Sequence, residues 1–272
     1  MLACKLANEH WTAQHKARIV AAQAAEKPRR GEFELHVGHL STNEHWTFVH
    51  TNTKFGGKHM KFFPTLTEVK EIAKTGKYDI LPVSCEILSD FITPIEAMRI
   101  LQNVSTHCYL LESAQANEAW GRYTFLGYDP KLEINCIDGH MKLGKLSVET
   151  DNPSEYIRQI LSEYKSPKFD YLPSFTGGLV GYFSYDYLGY KEKSIRGKAR
   201  DTEDFKDVDL MLFDKVIAFD NLCQKIILIA NMPLDAPETG YNKAIVELKQ
   251  LRELLMHGEK KQNMGGKLLG EV

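Results

Sequence analysis

From residue 60 onward the apolar positions fall into one periodicity after another. Leu66, Val69, Ile72 and Ala73 recur at three- and four-residue spacing, which places them on one buried helix face. Thr65 stands three residues before Glu68, and Gly76 follows the periodic run; the first makes a capping box and the second a stop. Ile80, Leu81, Val83, Cys85 and Ile87 then form a strand-like run. Thr93-Pro94-Ile95-Glu96 repeats the cap, with proline at the first helical position, where its missing N–H is not needed. It opens a helix predicted to turn Ile95, Met98 and Leu101 inward.

The stretch around which the rest is arranged comes next. Cys108-Tyr-Leu-Leu-Glu-Ser-Ala114 brings strand-favouring residues to a Glu-Ser pair, a polar loop follows at 115–118, and Trp120–Pro130 forms a second β-rich run ending in an Asp-Pro turn. Glu112 and Ser113 therefore fall where a strand ends and a loop begins, a position that holds residues rigidly yet admits a ligand. Water or a neighbouring turn satisfies such a pair equally well.

Beyond it, Leu132, Ile134 and Cys136 alternate with polar residues, Asp138-Gly139 supplies a turn, and Met141, Leu143, Leu146 and Val148 continue past it as the returning arm of a hairpin. Asn152-Pro153-x-Glu155 starts a helix carrying Ile157, Ile160, Leu161 and Tyr164. A proline-containing loop over 165–176 leads to a Tyr- and Phe-rich strand predicted over Gly178–Leu188. After the charged run Lys191–Asp209, two long apolar strands are expected, Leu210–Phe219 and Lys225–Met232, with both faces covered. A last helix from about Gly240 turns Ile245, Leu248, Leu251 and Leu255 inward and stops at Gly258. Residues 259–272 lose the pattern and have the composition of a linker.

Residues 1–59 differ in kind. They hold seven of the ten histidines, and Asn-Glu-His-Trp-Thr occurs in them twice, at 8–12 and 43–47. Two copies with unlike flanks do not make a repeat protein, and an isolated His-Trp pair lacks the converging geometry of a metal site. Phe55-Gly-Gly-Lys-His-Met60 is what a translated ribosome-binding site looks like, so 1–59 is expected to be a translated leader or non-native extension starting before Met60. An alanine-rich helix signal over Ala13–Ala25 has no obvious core to dock on.

Charge and composition narrow the partners. The 34 basic and 36 acidic residues nearly cancel, which gives no electrostatic reason to expect nucleic acid or an anionic membrane. No apolar run approaches the ~18 residues of a membrane span, and the first thirty residues lack a continuous apolar signal core. Five scattered cysteines without a Cys-x-x-Cys pair fit a reducing compartment, so the expected location is cytoplasmic. No nucleophile elbow occurs, and Cys85 and Cys108 lie in strand-like runs without a paired histidine. Gly177-Gly178 lacks the Gly-Lys-Ser/Thr or Gly-x-Gly-x-x-Gly context of a phosphate cradle and is expected to serve sheet packing. No catalytic or metal-ligating residue is assigned.

Five motifs stand in a fixed order: Leu81-Pro-Val-Ser-Cys-Glu-Ile-Leu-Ser-Asp90, Thr93-Pro-Ile-Glu96, Leu110-Leu-Glu-Ser113, Gly121-Arg-Tyr-Thr-Phe-Leu-Gly127 and Gly177-Gly-Leu-Val-Gly-Tyr-Phe-Ser-Tyr-Asp186. Together they resemble the N-terminal region of anthranilate synthase component I, from about Met60 to Val272. The large subunit of aminodeoxychorismate synthase is the nearest alternative, and a free-standing amino-acid-binding module is an alternative of a different class. The resemblance implies an α+β fold of largely antiparallel sheets with outer helices over 60–258. It implies a lyase of tryptophan biosynthesis that converts chorismate to anthranilate with Mg2+ and with ammonia from a glutamine amidotransferase, component II. Chorismate and Mg2+ belong to a C-terminal catalytic domain that nothing in 1–272 matches, so this chain is expected to be the regulatory part, inactive alone and binding no cofactor. By position, Leu111, Glu112 and Ser113 match a segment lining the feedback site for tryptophan, Pro94 matches a proline whose loss relieves inhibition, and Arg122 matches a nearby basic residue.

Overall fold

The computed structural model describes residues 36–40, 46–50, 60–112, 121–192, 194 and 205–261. The chain divides into two compact units, Met1–His59 and Met60–Val272. In the first, β1 (His36–Leu40) and β2 (Trp46–His50) pair antiparallel, His36 opposite His50 and Leu40 opposite Trp46. The β-branched and aromatic content of these two segments favours extended backbone. The first copy of the repeated pentapeptide and the alanine-rich stretch lie outside the described residues.

The second unit runs β3 (Phe62–Phe63), α1 (Leu66–Lys74), β4 (Ile80–Leu88), α2 (Pro94–Val104), β5 (Cys108–Leu111), β6 (Tyr123–Tyr128), β7 (Leu132–Ile137), β8 (His140–Leu143), β9 (Leu146–Glu149) and α3 (Pro153–Ser162). It continues with β10 (Gly178–Phe183), a 3-10 helix (Tyr185–Tyr190), β11 (Val208–Phe213), β12 (Lys215–Asp220), β13 (Lys225–Pro233) and α4 (Pro237–His257). The strands build a six-stranded sheet, β3-β4-β13-β12-β6-β5, and a five-stranded one, β10-β11-β7-β8-β9. Every pairing is antiparallel, which is the expected α+β architecture with outer helices.

Alternation along β13 shows how the layers form. Ile226, Leu228 and Ala230 join Val69 of α1, Ile100 of α2 and Leu248 of α4 in one core, while Ile227 and Ile229 join Leu172 and Phe175 in another on the opposite face. Both faces of the central strands are thus covered, as their near-continuous apolar runs predict. The five-stranded sheet has its own core, where Ile134, Cys136, Val208 and Leu210 meet Ile157 and Ile160 of α3. Leu228 is fully buried, and truncating such a residue to alanine costs about 2–5 kcal/mol.

Several elements depart from the sequence prediction. The expected single strand Leu210–Phe219 breaks at Asp214: β11 belongs to the five-stranded sheet and β12 to the six-stranded one. Asn231 holds the crossing, its main-chain N–H and its Nδ2 donating to the Asp214 carbonyl at 2.8 and 3.0 Å, and Nδ2 donating also to the Thr176 carbonyl at 2.6 Å. The run from Met141 to Val148 folds back at Gly144-Lys145 into β8 and β9. Strand β10 ends at Phe183, because Ser184 Oγ accepts from Tyr187 N at 3.3 Å and starts the 3-10 helix. In α2 the buried positions are Ala97, Ile100 and Leu101, whereas Ile95 is 59% exposed in the turn that begins the helix. Helix α4 starts earlier than Gly240, at Pro237, and buries Tyr241 and Ala244 as well.

A candidate binding site at the end of an edge strand

Strand β5 pairs only with β6 and forms one edge of the six-stranded sheet. Leu111, its last residue, stands opposite Phe125 and is half exposed. Glu112 follows it and is exposed; Ser113 lies outside the described residues. Directly opposed residues share a sheet face, so Leu111, Phe125 and Ala218 point the same way, as do Tyr123 and Asp220. This is the face away from the helices, and it is aromatic. Tyr123 stacks on Phe125 at 5.8 Å, Phe125 meets Phe175 edge-on at 5.5 Å, and Tyr109 meets Phe213 edge-on at 4.7 Å.

Tyr109 reaches this cluster across Gly127, its partner on β6. A Cβ on Gly127 would lie 2.2 Å from Tyr109 Cε1, so the ring occupies the space that any other residue would fill. Among the described residues, Tyr109 Oη is the one buried side-chain atom with no hydrogen-bond partner, and burial pushes its ionisation well above the ordinary tyrosine range.

Arg122 is already engaged. Its Nε donates to Asp220 Oδ1 at 3.1 Å and its Nη2 to Oδ2 at 2.7 Å, with the guanidinium 4.8 Å above the Tyr123 ring. Asp220 is fully buried and its Oδ1 also accepts the N–H groups of Leu222 and Cys223. Burial raises the Asp220 carboxyl, but the Arg122 bond and the Cys223 amide outweigh it and hold the group below its ordinary value. Arg122 therefore joins β6 to the β12–β13 turn, and its charge is matched by Asp220.

Pro94 opens α2, half-buried. Thr93 Oγ1 accepts from Glu96 N at 3.2 Å, while Glu96 Oε2 accepts from both Thr93 N and Thr93 Oγ1 at 3.2 Å. Helix α2 packs on the other face of β5 and β6, through Ala97, Ile100 and Leu101 with Leu110 and Leu126. The structure thus brings Leu111 and Arg122 to the aromatic face and sets Pro94 in the helical layer behind it. Eleven residues of α2 rise roughly 16 Å and four of β5 roughly 13 Å, so the chain leaving Leu111 returns toward the level of Pro94. Sequence reasoning missed Asp220, because its partner is 98 positions away. The described cysteines are free, and burial raises the Cys85 thiol to about 12, which leaves it without nucleophilic character.

Fold and strand-end geometry define an α+β domain with two antiparallel sheets and, among the described residues, an exposed, aromatic-faced strand end. By sequence the chain is homologous to anthranilate synthase component 1. It is 34% identical over 200 residues, 71% of this chain, to anthranilate synthase component 1 of Acetivibrio thermocellus. It is 34% identical over 186 residues, 65% of this chain, to the Pseudomonas aeruginosa protein of that name. The chain spans about 40% of the length of these relatives, 40% and 37% respectively. A solved structure, anthranilate synthase component I from Streptococcus pneumoniae TIGR4, is 26% identical, with 61% of this chain and 36% of that one covered and a TM-score of 0.41. No protein-family model matches. Among the described residues, no helix is long and apolar enough to cross a membrane.

Proposed function

We propose that this chain is the tryptophan-sensing part of an anthranilate synthase component 1, and that chorismate and Mg2+ are handled by a catalytic region outside it. The observation that carries the reading is the exposed end of β5, where Leu111 closes a rigid strand and Glu112 follows it, inside a chain homologous to component 1 over 71% of its length. Leu111, Phe125 and Tyr123 offer an apolar wall for an indole. Glu112 is exposed and meets the ligand's ammonium, Ser113 bonds its polar end, and Pro94 fixes the backbone of the adjacent corner. Arg122 fixes the start of β6 through Asp220 and borders the ligand as the nearby basic residue. In the complete enzyme a component 2 glutamine amidotransferase supplies ammonia.

The test is an L-tryptophan titration followed by backbone amide NMR. Shifts at Leu111 and Glu112 are expected at millimolar tryptophan. Ser113→Phe is expected to weaken the response at least ~10-fold, since losing a hydrogen bond to a charged ligand group costs about 1.5–3 kcal/mol even before steric exclusion. No amide response, or one indifferent to Ser113→Phe, overturns the site. With chorismate, Mg2+ and ammonia the chain is expected to form no anthranilate, and turnover above a no-protein control overturns that part.

A further inference from the structure

The residues that follow the last helix run back along α2. Gly258 lies so close to that helix that a Cβ on it would stand 2.5 Å from Ile100 Cγ2. Asn103 Nδ2 donates to the Glu259 carbonyl at 2.6 Å. Arg99 Nε donates to the Lys261 carbonyl at 2.9 Å, and Lys261 N–H donates to the Arg99 carbonyl at 3.0 Å. Lys260 Nζ pairs with Glu96 Oε1. The main-chain contacts step back one turn, from Asn103 at Glu259 to Arg99 at Lys261, and between them the Lys260 side chain reaches a further turn toward the beginning of α2, to Glu96.

Glu96 has two tasks. Its Oε2 takes both donors of Thr93 and completes the helix cap, while its Oε1 takes Lys260. One carboxylate therefore joins the Thr93-Pro94 corner to the segment beyond α4. The main-chain and amide bonds at Arg99 and Asn103 hold that segment down. The Lys260 pair is half exposed, and such a pair shifts a docking equilibrium by only about fivefold or less. That range suits a graded link.

We propose that Gly258–Lys261 is a strap that reports the state of the Thr93-Pro94 corner to the residues following it, with Glu96 as the link. If the cap is disturbed, Glu96 Oε1 moves, Lys260 loses its partner and the strap loosens; by linkage, loosening the strap relaxes the cap equally. The coupling is a property of these residues alone, whereas tryptophan as the signal rests on the function proposed above.

Amide hydrogen exchange on the full-length protein tests it. The reporters are Lys261 N–H, bonded to Arg99, and Thr93 N–H, bonded to Glu96. Thr93→Val is expected to speed Lys261 exchange about threefold or more, near the low end of what losing a helix cap does, and Glu96→Gln to speed it about two- to fivefold, the range of a lost half-exposed ion pair. Glu96→Gln keeps a residue able to complete the cap, so it isolates the strap. Lys260→Met is expected to speed Thr93 exchange in return. Lys261 exchange indifferent to Thr93→Val, Thr93 exchange indifferent to Lys260→Met, or an equal acceleration at the core amide of Leu228 overturns the coupling. Tryptophan added to the wild type separates the two readings. Coupling among the variants with no tryptophan response anywhere upholds the strap and sinks the ligand; a response at Leu111 that stops short of Lys261 upholds the ligand and sinks tryptophan as the strap's signal.

Discussion

At the scale of single residues the strongest polar contact near the candidate site joins Arg122 to the buried Asp220. Removing one partner of a buried pair strands a charge and costs about 3–5 kcal/mol. Arg122 is about one-third exposed, so water reaches the pair and Arg122→Met is expected to cost less, about 2–3 kcal/mol in urea unfolding. Arg122→Lys should recover only part, because an ammonium cannot serve both carboxylate oxygens in one plane. The Asp220 carboxyl is depressed in the folded state, so its stabilisation is present above its unfolded pKa of about 3.9 and is lost as pH falls through the lower folded value. The urea midpoint should therefore drop as the pH is lowered from about 3.9 through the folded value. In Asp220→Asn the drop should be shallower, and an unchanged acid slope would show that the pair does not govern it. None of this was visible in the sequence, where Arg122 is one basic residue after a glycine and Asp220 one acid before an asparagine.

Elements were legible where their signals are local. The boxes at Thr65 and Thr93 each need four consecutive residues, and both form as expected. The change of sheet at Asp214 was not legible, because apolar residues continue on both sides of it and the deciding contacts come from Asn231 and Thr176. The early end of β10 was hidden for a related reason: tyrosine suits a strand and a 3-10 helix alike, and only the Ser184 cap decides. Asn231 supplies the donors that Asp214 and Thr176 require. Asn231→Ala should cost about 1–3 kcal/mol by leaving those carbonyls short of donors. Asn231→Asp should cost more, since a carboxylate would face two carbonyl oxygens in the same space. A wild-type melting temperature in Asn231→Ala would mean that the side-chain donor contributes nothing there.

At the scale of the molecule, the antiparallel α+β plan was legible from periodicity and from five ordered motifs. The division into two sheets was not, since the chain crosses between them both from β6 to β7 and at Asp214, and the second crossing lies inside a continuous apolar run. The first unit contains the β1–β2 pair, and two strands alone are marginally stable in water. A protein begun at Met60 is therefore expected to melt within about 2 °C of the full one in calorimetry, and a collapse of cooperative unfolding would contradict this. The notch at Gly127 has a consequence on the same scale. Tyr109 can lie flat across β6 only where the facing residue has no side chain, and from there it touches Phe213, the last residue of the other sheet's β11. Shifted by two positions, its ring would meet Phe125 or Asp129 and withdraw from Phe213. The edge strand is thus keyed like a lock cylinder: in one position alone does it both seat against its neighbour and let the second sheet close, so a misthreaded β5 cannot be sealed into the finished protein.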